Sequence, residues 1–284
     1  MHNFNLEILR AEFTKALENR HVYAALANNS FSGDINQKND VVKMIQMGAI
    51  DINSYTDGSS ITNQSLTNAQ LELIADQDKY FAYVLDTLEY NNNKNGILSE
   101  SARKAAYAMN ENIDDAFAAL YASGLITNST YTDSSPIDLT SLNIEEQMLD
   151  MSERFAVAGV PRGQRKVAIP APWISSKLVL AGVASKTAND ALYASGYLGT
   201  AFGWDFVESN NVSMGTASTG AQTRMQFVVP NESLGFADAV STMETTSIED
   251  QIGKTLVKGR HVYGLKVVRP DMTGVLYCDK TAEA

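Results

Sequence analysis

The 284-residue chain is poor in the residues on which disulfide and metal chemistry depend. It contains one cysteine, Cys278, and three histidines that lie far apart in sequence. A single cysteine excludes a disulfide within the chain and any cluster of cysteine ligands, and it fits synthesis in a reducing cytoplasm. His2, His21 and His261 have no second ligand at a suitable spacing, so we expect no metal site and no cofactor.

Long apolar runs and the short motifs of catalysis are also missing. No apolar run reaches about 18 residues, the length that predicts a membrane span, and the first residues do not resemble a secretory signal. The chain has no nucleophile elbow, phosphate-binding loop, dinucleotide glycine fingerprint or His-Glu-x-x-His motif. We therefore expect no catalytic residues, although a triad or carboxylate pair brought together by folding leaves no mark in a sequence.

Basic residues are fewer than acidic ones. The 22 Lys and Arg stand against 33 Asp and Glu, which gives a formal charge of −11 and argues against tight, non-specific binding to nucleic acid. Arg260, His261, Lys266 and Arg269 form the densest basic cluster. A phosphate or DNA contact is one interpretation, but we favour pairing with nearby carboxylates, and for His261 a structural role in a strand.

The sequence predicts a long amphipathic helix at residues 98–123. Its apolar residues recur at spacings of three and four, which places them on one face. At 1.5 Å per residue the helix would be roughly 35–40 Å long, and Ser99 is suited to cap its start. The small side chains would let strands pack closely along it. The face consists of Ala102, Ala106, Met109, Ile113, Phe117 and Leu120.

Further helices and strands complete an α+β pattern. We predict a helical arm at 5–27 and helices at about 144–158 and 173–183. Asn143 and Glu146 have capping-box spacing at the start of the helix at 144–158. Residues 184–200 are interpreted as a loop, and 236–243 and 248–257 as short mixed elements. Strands are predicted at 69–75, 80–85, 166–170, 204–208, 224–229, 261–268 and 274–277.

Residues 28–65 hold few large apolar side chains for their length. A β-prone run at 40–45 is followed by an alternating run at 48–55 and a polar, turn-forming run at 56–64. Such a segment cannot build a core, so we expect it to project as a two-stranded extension; the alternative is an ordinary surface hairpin. Ile50, Ile52 and Tyr55 are our candidates for contacts with another subunit.

Five phrases in order along the chain resemble the major capsid protein of tailed bacteriophages, the shell fold of the Hong Kong ninety-seven type. The runs 32–42 and 51–55 resemble its extended loop, and 78–86 the strand before its long helix. Val160-Pro161-Arg162, the strand after it and Pro172-Trp173 form a third phrase. Gly203-Trp204-Asp205-Phe206-Val207-Glu208-Ser209-Asn210 resembles its Gly-aromatic-Val-Ser-Asn signature, and 259–270 its closing strand.

The resemblance implies an α+β phage capsid fold with four parts. The N-terminal arm would be 1–30 and the extended β-hairpin loop 31–66. The peripheral domain would comprise 67–165 and 256–284, with the spine helix at 98–123, and the axial domain would be 166–255. The lysine and asparagine that become cross-linked in one branch of the family find no match here.

The resemblance also implies a function, which is structural. The protein would assemble with itself as hexamers and pentamers into an icosahedral shell enclosing double-stranded DNA, without sequence-specific DNA binding, catalysis or a membrane. Scaffolding, portal and decoration proteins are the expected partners, and the location is the virion capsid after assembly in the host cytoplasm. Two alternatives stay open: the shell of a cellular nanocompartment around an enzyme cargo, and a soluble α+β enzyme or binding protein.

Overall fold

The computed structural model describes residues 22–30, 37–47, 50–58, 60–61, 63–65, 68–86, 97–120, 126–128, 130–161, 163–181, 197–212, 222–248 and 253–280. The helices in these ranges are α1 (Tyr23–Leu26), α2 (Ile97–Ala119), α3 (Ile144–Val157) and α4 (Pro172–Leu180). The strands are β1 (Val41–Met47), β2 (Asn68–Ile74), β3 (Gln77–Asp86), β4 (Ile126–Thr127), β5 (Ile137–Asp138), β6 (Val167–Ile169), β7 (Tyr197–Ala201), β8 (Trp204–Val207), β9 (Thr223–Val228), β10 (Leu234–Ser247), β11 (Lys254–Val267) and β12 (Thr273–Asp279).

The strands form three sheets, which together with the helices make the α+β class expected from the sequence. β1 and β2 pair as a two-stranded sheet, and β10, β11 and β3 form a three-stranded antiparallel sheet in that order. The largest sheet is mixed, with the order β4-β12-β9-β6-β8-β7 and β5 beside β12. The long helix α2 joins the second of these sheets to the main core.

The apolar face of α2 is the one predicted from its spacing. Ala102, Ala106 and Met109 are buried against Met243 and Val257 of the three-stranded sheet. Ile113 and Phe117, further along the same face, are buried in the main core, and Leu120 is packed against that core. The small residues thus lie where the sheet crosses the helix, and the large ones where the helix enters the core.

Polar contacts tether α2 along its length. The Tyr83 and Ser101 hydroxyls are 3.0 Å apart, and the Tyr263 hydroxyl donates to Asn112 Oδ1 at 3.2 Å. Gln226 Nε2 donates to the carbonyl oxygen of Ala118 at 2.8 Å. Because these bonds come from β3, β11 and β9, the helix is fixed to both larger sheets.

Two predicted caps are wrong. α2 begins at Ile97, two residues before Ser99, and an N-cap must lie immediately outside the first turn. Asn143 has helical backbone angles and makes no cap; its side chain instead accepts from the Thr140 N–H and donates to the Asp138 carbonyl, both at 2.8 Å. The Asn143 side chain therefore stabilises a local turn and is not available to cap the helix.

The end of α3 and its buried face agree with the sequence. Ile144, Met148, Met151 and Phe155 are fully buried. Gly159 follows the helix with φ +87°, a left-handed conformation that glycine adopts without strain. α4 begins one residue earlier than predicted and ends at Leu180, three residues before the predicted end at 183. The expected end of α2 at 123 and most of the 5–27 arm lie outside the described residues.

Three strand predictions need correction. β10 and β11 each run for 14 residues, where short mixed elements were expected, because the polar and charged residues of their paired outer halves, 241–247 and 254–260, weaken the apolar signal. β7 occupies 197–201 and so takes up the last four residues of the loop predicted at 184–200. Residues 50–58 form no strand, because the β1–β2 ladder stops at the Met47–Asn68 pair and alternation without a partner strand leaves the backbone unpaired.

Candidate assembly surface

The extension leaves the body as the β1–β2 ladder. It pairs from Val41 opposite Ile74 to Met47 opposite Asn68. Leu73 is buried at its base with Ala237 and Val262. The chain between the two strands, residues 48–67, is the region in which the sequence placed its candidate contact residues.

All three candidates are exposed in this one segment. Ile50 is 71% exposed, Ile52 97% and Tyr55 65%, and Ile61 in the same segment is 77% exposed. Large apolar side chains grouped on an exposed segment mark an interaction surface. Ile61 was missed at the sequence level because it lies inside a polar, turn-forming run.

A reciprocal pair of hydrogen bonds closes the segment. The Asp51 N–H donates to Gln64 Oε1 at 2.8 Å, and Gln64 Nε2 donates to Asp51 Oδ2 at 3.1 Å. The pair brings together two points that are 13 residues apart in sequence. Asp51 and Asp57 are the only charged residues of the sequence between 48 and 67, so this polar segment carries only negative charge beside its few large apolar side chains.

A second surface lies on the three-stranded sheet. Phe81, Tyr83 and Leu85 of β3 face α2, and the alternating residues between them face away from it. Tyr80 is 81% exposed, and Val84 is exposed as well. The open face is therefore apolar along β3.

The neighbouring strand adds positive charge to this face. Arg260 of β11 lies opposite Tyr80, and Lys258 opposite Ala82. Both basic residues are exposed. The open face, defined here by Tyr80, Ala82, Val84, Lys258 and Arg260, combines apolar side chains with charges of both signs, because Asp78 binds Arg260 and Glu244 of β10 lies opposite Lys258.

The basic cluster found in the sequence is held by acceptors within the chain, and for Arg260 and Arg269 these are carboxylates, as we favoured. Arg260 donates to both carboxylate oxygens of Asp78 at 2.8 and 2.7 Å. Arg269 binds Asp271 at 2.9 Å, and Lys266 Nζ donates to the Glu72 carbonyl at 2.7 Å. The hydrogen bonds from Arg260 lower the pKa of Asp78 to about 2.

His261 is buried in β11 beside β10. Its Nε2 lies 2.6 Å from Asp238 Oδ1, and its ring is 5.4 Å from that of Tyr263. Within the described ranges no three His, Cys, Asp or Glu residues are grouped so that they could hold a metal ion. The geometry is that of a strand residue fixed by a carboxylate.

Cys278 is also buried. Burial raises the pKa of its thiol to about 12, so the reactive thiolate is absent at neutral pH. None of the helices that the structure describes is long and apolar enough to span a membrane.

A protein-family model matches most of the chain. The model described as phage capsid protein matches residues 70–275, a range that contains α2, α3, α4 and the two larger sheets except the last four residues of β12. No curated protein matches the sequence.

Solved structures share the fold over nearly the whole chain. A structure titled Mycobacterium phage Che8 is 21% identical with a TM-score of 0.67, and the match covers 90% of this chain and 91% of that one. The capsid of cyanophage P-SCSP1u is 15% identical with a TM-score of 0.67 and coverages of 92% and 89%. A virus-like particle from Pyrococcus furiosus is 12% identical with a TM-score of 0.56 and coverages of 97% and 100%.

Proposed function

The chain belongs to the phage capsid protein family, and on that premise we propose that it is the repeating subunit of an icosahedral shell built from hexamers and pentamers around double-stranded DNA. As a member of this family it is a structural protein of the capsid. The observation that carries the proposal is the extension, whose described residues between β1 and β2 are all exposed, with the large apolar side chains of Ile50, Ile52, Tyr55 and Ile61 among them. A surface of this kind is satisfied by repeated contacts in a closed assembly.

We propose that the extension of one copy lies on the open face of a second copy. Ile50, Ile52 and Tyr55 would pack against Tyr80 and Val84, while Asp51 or Asp57 approaches Lys258. Opposite charges across such a contact fix its register and select the partner. Burying three large apolar side chains stabilises each contact by several kcal/mol, at about 1.5–3 kcal/mol per side chain.

The four-part organisation is part of the proposal. An arm at 1–30 and an extended loop at 31–66 would reach neighbouring copies, and the loop together with β2 makes up the extension. The peripheral domain, 67–165 and 256–284, would hold the spine helix, and the axial domain would be 166–255. Support comes from α2, which is bonded along its length to β3, β9 and β11 and forms a rigid axis for the first of these domains.

The partners and location follow the same reasoning. We propose assembly in the host cytoplasm, with scaffolding, portal and decoration proteins as partners and no catalytic role. The wall would contact DNA weakly and without sequence preference, since a surface of net charge −11 repels phosphate. The buried, protonated thiol and the paired basic cluster support a protein without reactive or free anion-binding groups at these positions.

The nanocompartment is the second candidate, and one observation bears on it. The virus-like particle from Pyrococcus furiosus shares the fold at a TM-score of 0.56, so the fold alone does not separate a viral shell from other closed particles. The family match favours the phage capsid. The contents of purified particles decide between them: nucleic acid in one case and a protein cargo in the other.

Electron microscopy of the purified chain at near-physiological salt, alone and with a co-expressed scaffolding partner, tests the proposal. We expect closed, uniform particles of megadalton mass. A monomer or small oligomer as the only species under every such condition would contradict it and favour a soluble α+β enzyme or binding protein.

A further inference from the structure

The corner between β2 and β3 carries the extension. β2 ends at Ile74 and belongs to the extension, whereas β3 begins at Gln77 and belongs to the body. Ala75 and Asp76 are therefore the link on this side. The angle between the extension and the body depends on what holds the residues around this corner.

Backbone bonds hold the corner from the β1 side. The Asn39 N–H donates to the Ala75 carbonyl at 2.8 Å, and the Ala75 N–H donates to the Asp40 carbonyl at 3.0 Å. These bonds join the two roots of the extension to each other. They do not join the extension to the body.

The corner lies in close contact with the backbone of β11. A Cβ added to Gly264 would lie 2.5 Å from the Ile74 carbonyl oxygen and 2.9 Å from a methyl group of Leu73. Only glycine leaves room for this approach. This contact brings the extension against the body, but it has no directional bond, so the extension can still rotate about it.

Among the described residues, Lys266 makes a directional bond from the body to the extension beyond this close approach. Lys266, two residues after Gly264 on β11, donates from Nζ to the Glu72 carbonyl at 2.7 Å. Lys266 lies past the part of β11 that pairs with β3, which ends at Tyr263 opposite Gln77. Its bond reaches the extension two residues beyond Ile74, where a small movement at the corner is enlarged.

We propose that Lys266 is a positioning residue for assembly: its bond to the Glu72 carbonyl fixes the angle at which the extension leaves the body, and so the curvature of the shell. The proposal rests on the shell function proposed above. In a closed assembly each contact repeats, so its orientation determines whether and at what size the assembly closes. A loosened extension would still bind a neighbour but at variable angles.

Lys266→Met removes the donor and keeps an unbranched apolar stem, while Lys266→Arg keeps a donor. Lys43→Met is the matched control, because Lys43 also contacts Glu72, through its carboxylate at 3.8 Å, but from β1 within the extension. All three are surface changes, so the melting temperature of the subunit should stay within about 2 °C of the unsubstituted chain.

The first measurement is made on the free subunit and needs no shell. Spin labels at Gln70→Cys in the extension and Glu153→Cys on the body report their distance by pulsed electron paramagnetic resonance, with Cys278 too buried to be labelled. We expect Lys266→Met to broaden the distance distribution, and Lys266→Arg and Lys43→Met to leave it narrow. An unchanged width in Lys266→Met would overturn the proposal.

The second measurement is the diameter distribution of assembled particles by electron microscopy. Lys266→Met should give several size classes or open sheets, and the other two variants one class. A single class of the original diameter with Lys266→Met would refute the role in curvature. Failure of the unsubstituted chain to form particles would instead refute the shell function, while the label distances would still test the positioning role.

Discussion

Asp78 shows how single residues link the parts of this subunit. Its carboxylate receives two bonds from Arg260 and lies 3.5 Å from Lys38 Nζ. The first residue belongs to β11, and the second precedes β1. These contacts hold the ionised carboxylate, and they lower its pKa from 3.8 to about 2.

The lowered pKa predicts a pH-dependent effect of Asp78→Asn. A carboxyl whose pKa is lower in the folded state adds stability above its unfolded pKa of 3.8, and this is lost as pH falls through about 2. Asp78→Asn should thus lower the melting temperature at pH 7, with the difference closing between pH 4 and pH 2. Arg260→Gln should reproduce the loss, and the double variant should add little. A difference that stays constant with pH would contradict this reasoning.

His261 permits a second prediction at this scale. His261→Gln keeps a side chain able to donate to Asp238 and should leave assembly nearly intact. His261→Leu removes the donor and should cost on the order of 1–2 kcal/mol in urea unfolding. A bound metal or a hydrolytic activity that disappears with His261→Gln would show that the histidine has a chemical role after all.

At the scale of elements, α2 and α3 could be predicted from the sequence, because burial of one helical face sets the spacing of their apolar residues. Ala102, Met109 and Phe117 recur at helical intervals for the same reason that they are buried. β10 could not be read in this way, because its polar face is solvated and its apolar residues are too few. The open face of the sheet could not be predicted either. Tyr80 and Val84 alternate with the core residues of β3, and only the position of α2 decides which of these two sets of side chains is buried.

The slim face of α2 predicts sensitivity to added volume. Ala106 is fully buried beneath the three-stranded sheet, so Ala106→Met should destabilise the subunit by about 1–3 kcal/mol in urea unfolding. Ala108→Met, on the exposed side of the same helix, should change the unfolding free energy by less than about 0.5 kcal/mol. Equal effects of the two substitutions would mean that the small residues of α2 do not serve close packing.

The acidic balance acts at the scale of the whole molecule. A formal charge of −11 predicts weak DNA binding by the free subunit that falls steeply with salt. Fluorescence anisotropy with a labelled duplex at 50 and 200 mM salt, roughly the range over which phosphate contacts weaken, measures it. Nanomolar affinity that persists at high salt would instead favour a dedicated nucleic-acid-binding protein.

The fold as a whole was accessible from sequence, whereas the assembly surface was accessible only in part. Ile50, Ile52 and Tyr55 stand out because a polar segment has no use for them within its own subunit. Their target cannot be found in the same way, because a complementary surface is a property of the folded sheet. The Lys266 bond is likewise invisible in sequence, since a backbone carbonyl carries no residue identity.

Sedimentation velocity of the chain beside a variant lacking the extension's tip tests the shell function most directly. Replacing residues 53–64 with a short Gly-Ser link removes Tyr55 and Ile61 but no residue of the described cores. We predict megadalton particles from the unsubstituted chain and a soluble, cooperatively melting subunit from the variant. Normal particles from the variant, or a variant that cannot fold, would contradict it: the first would make the segment an ordinary surface hairpin, and the second would place it in the core.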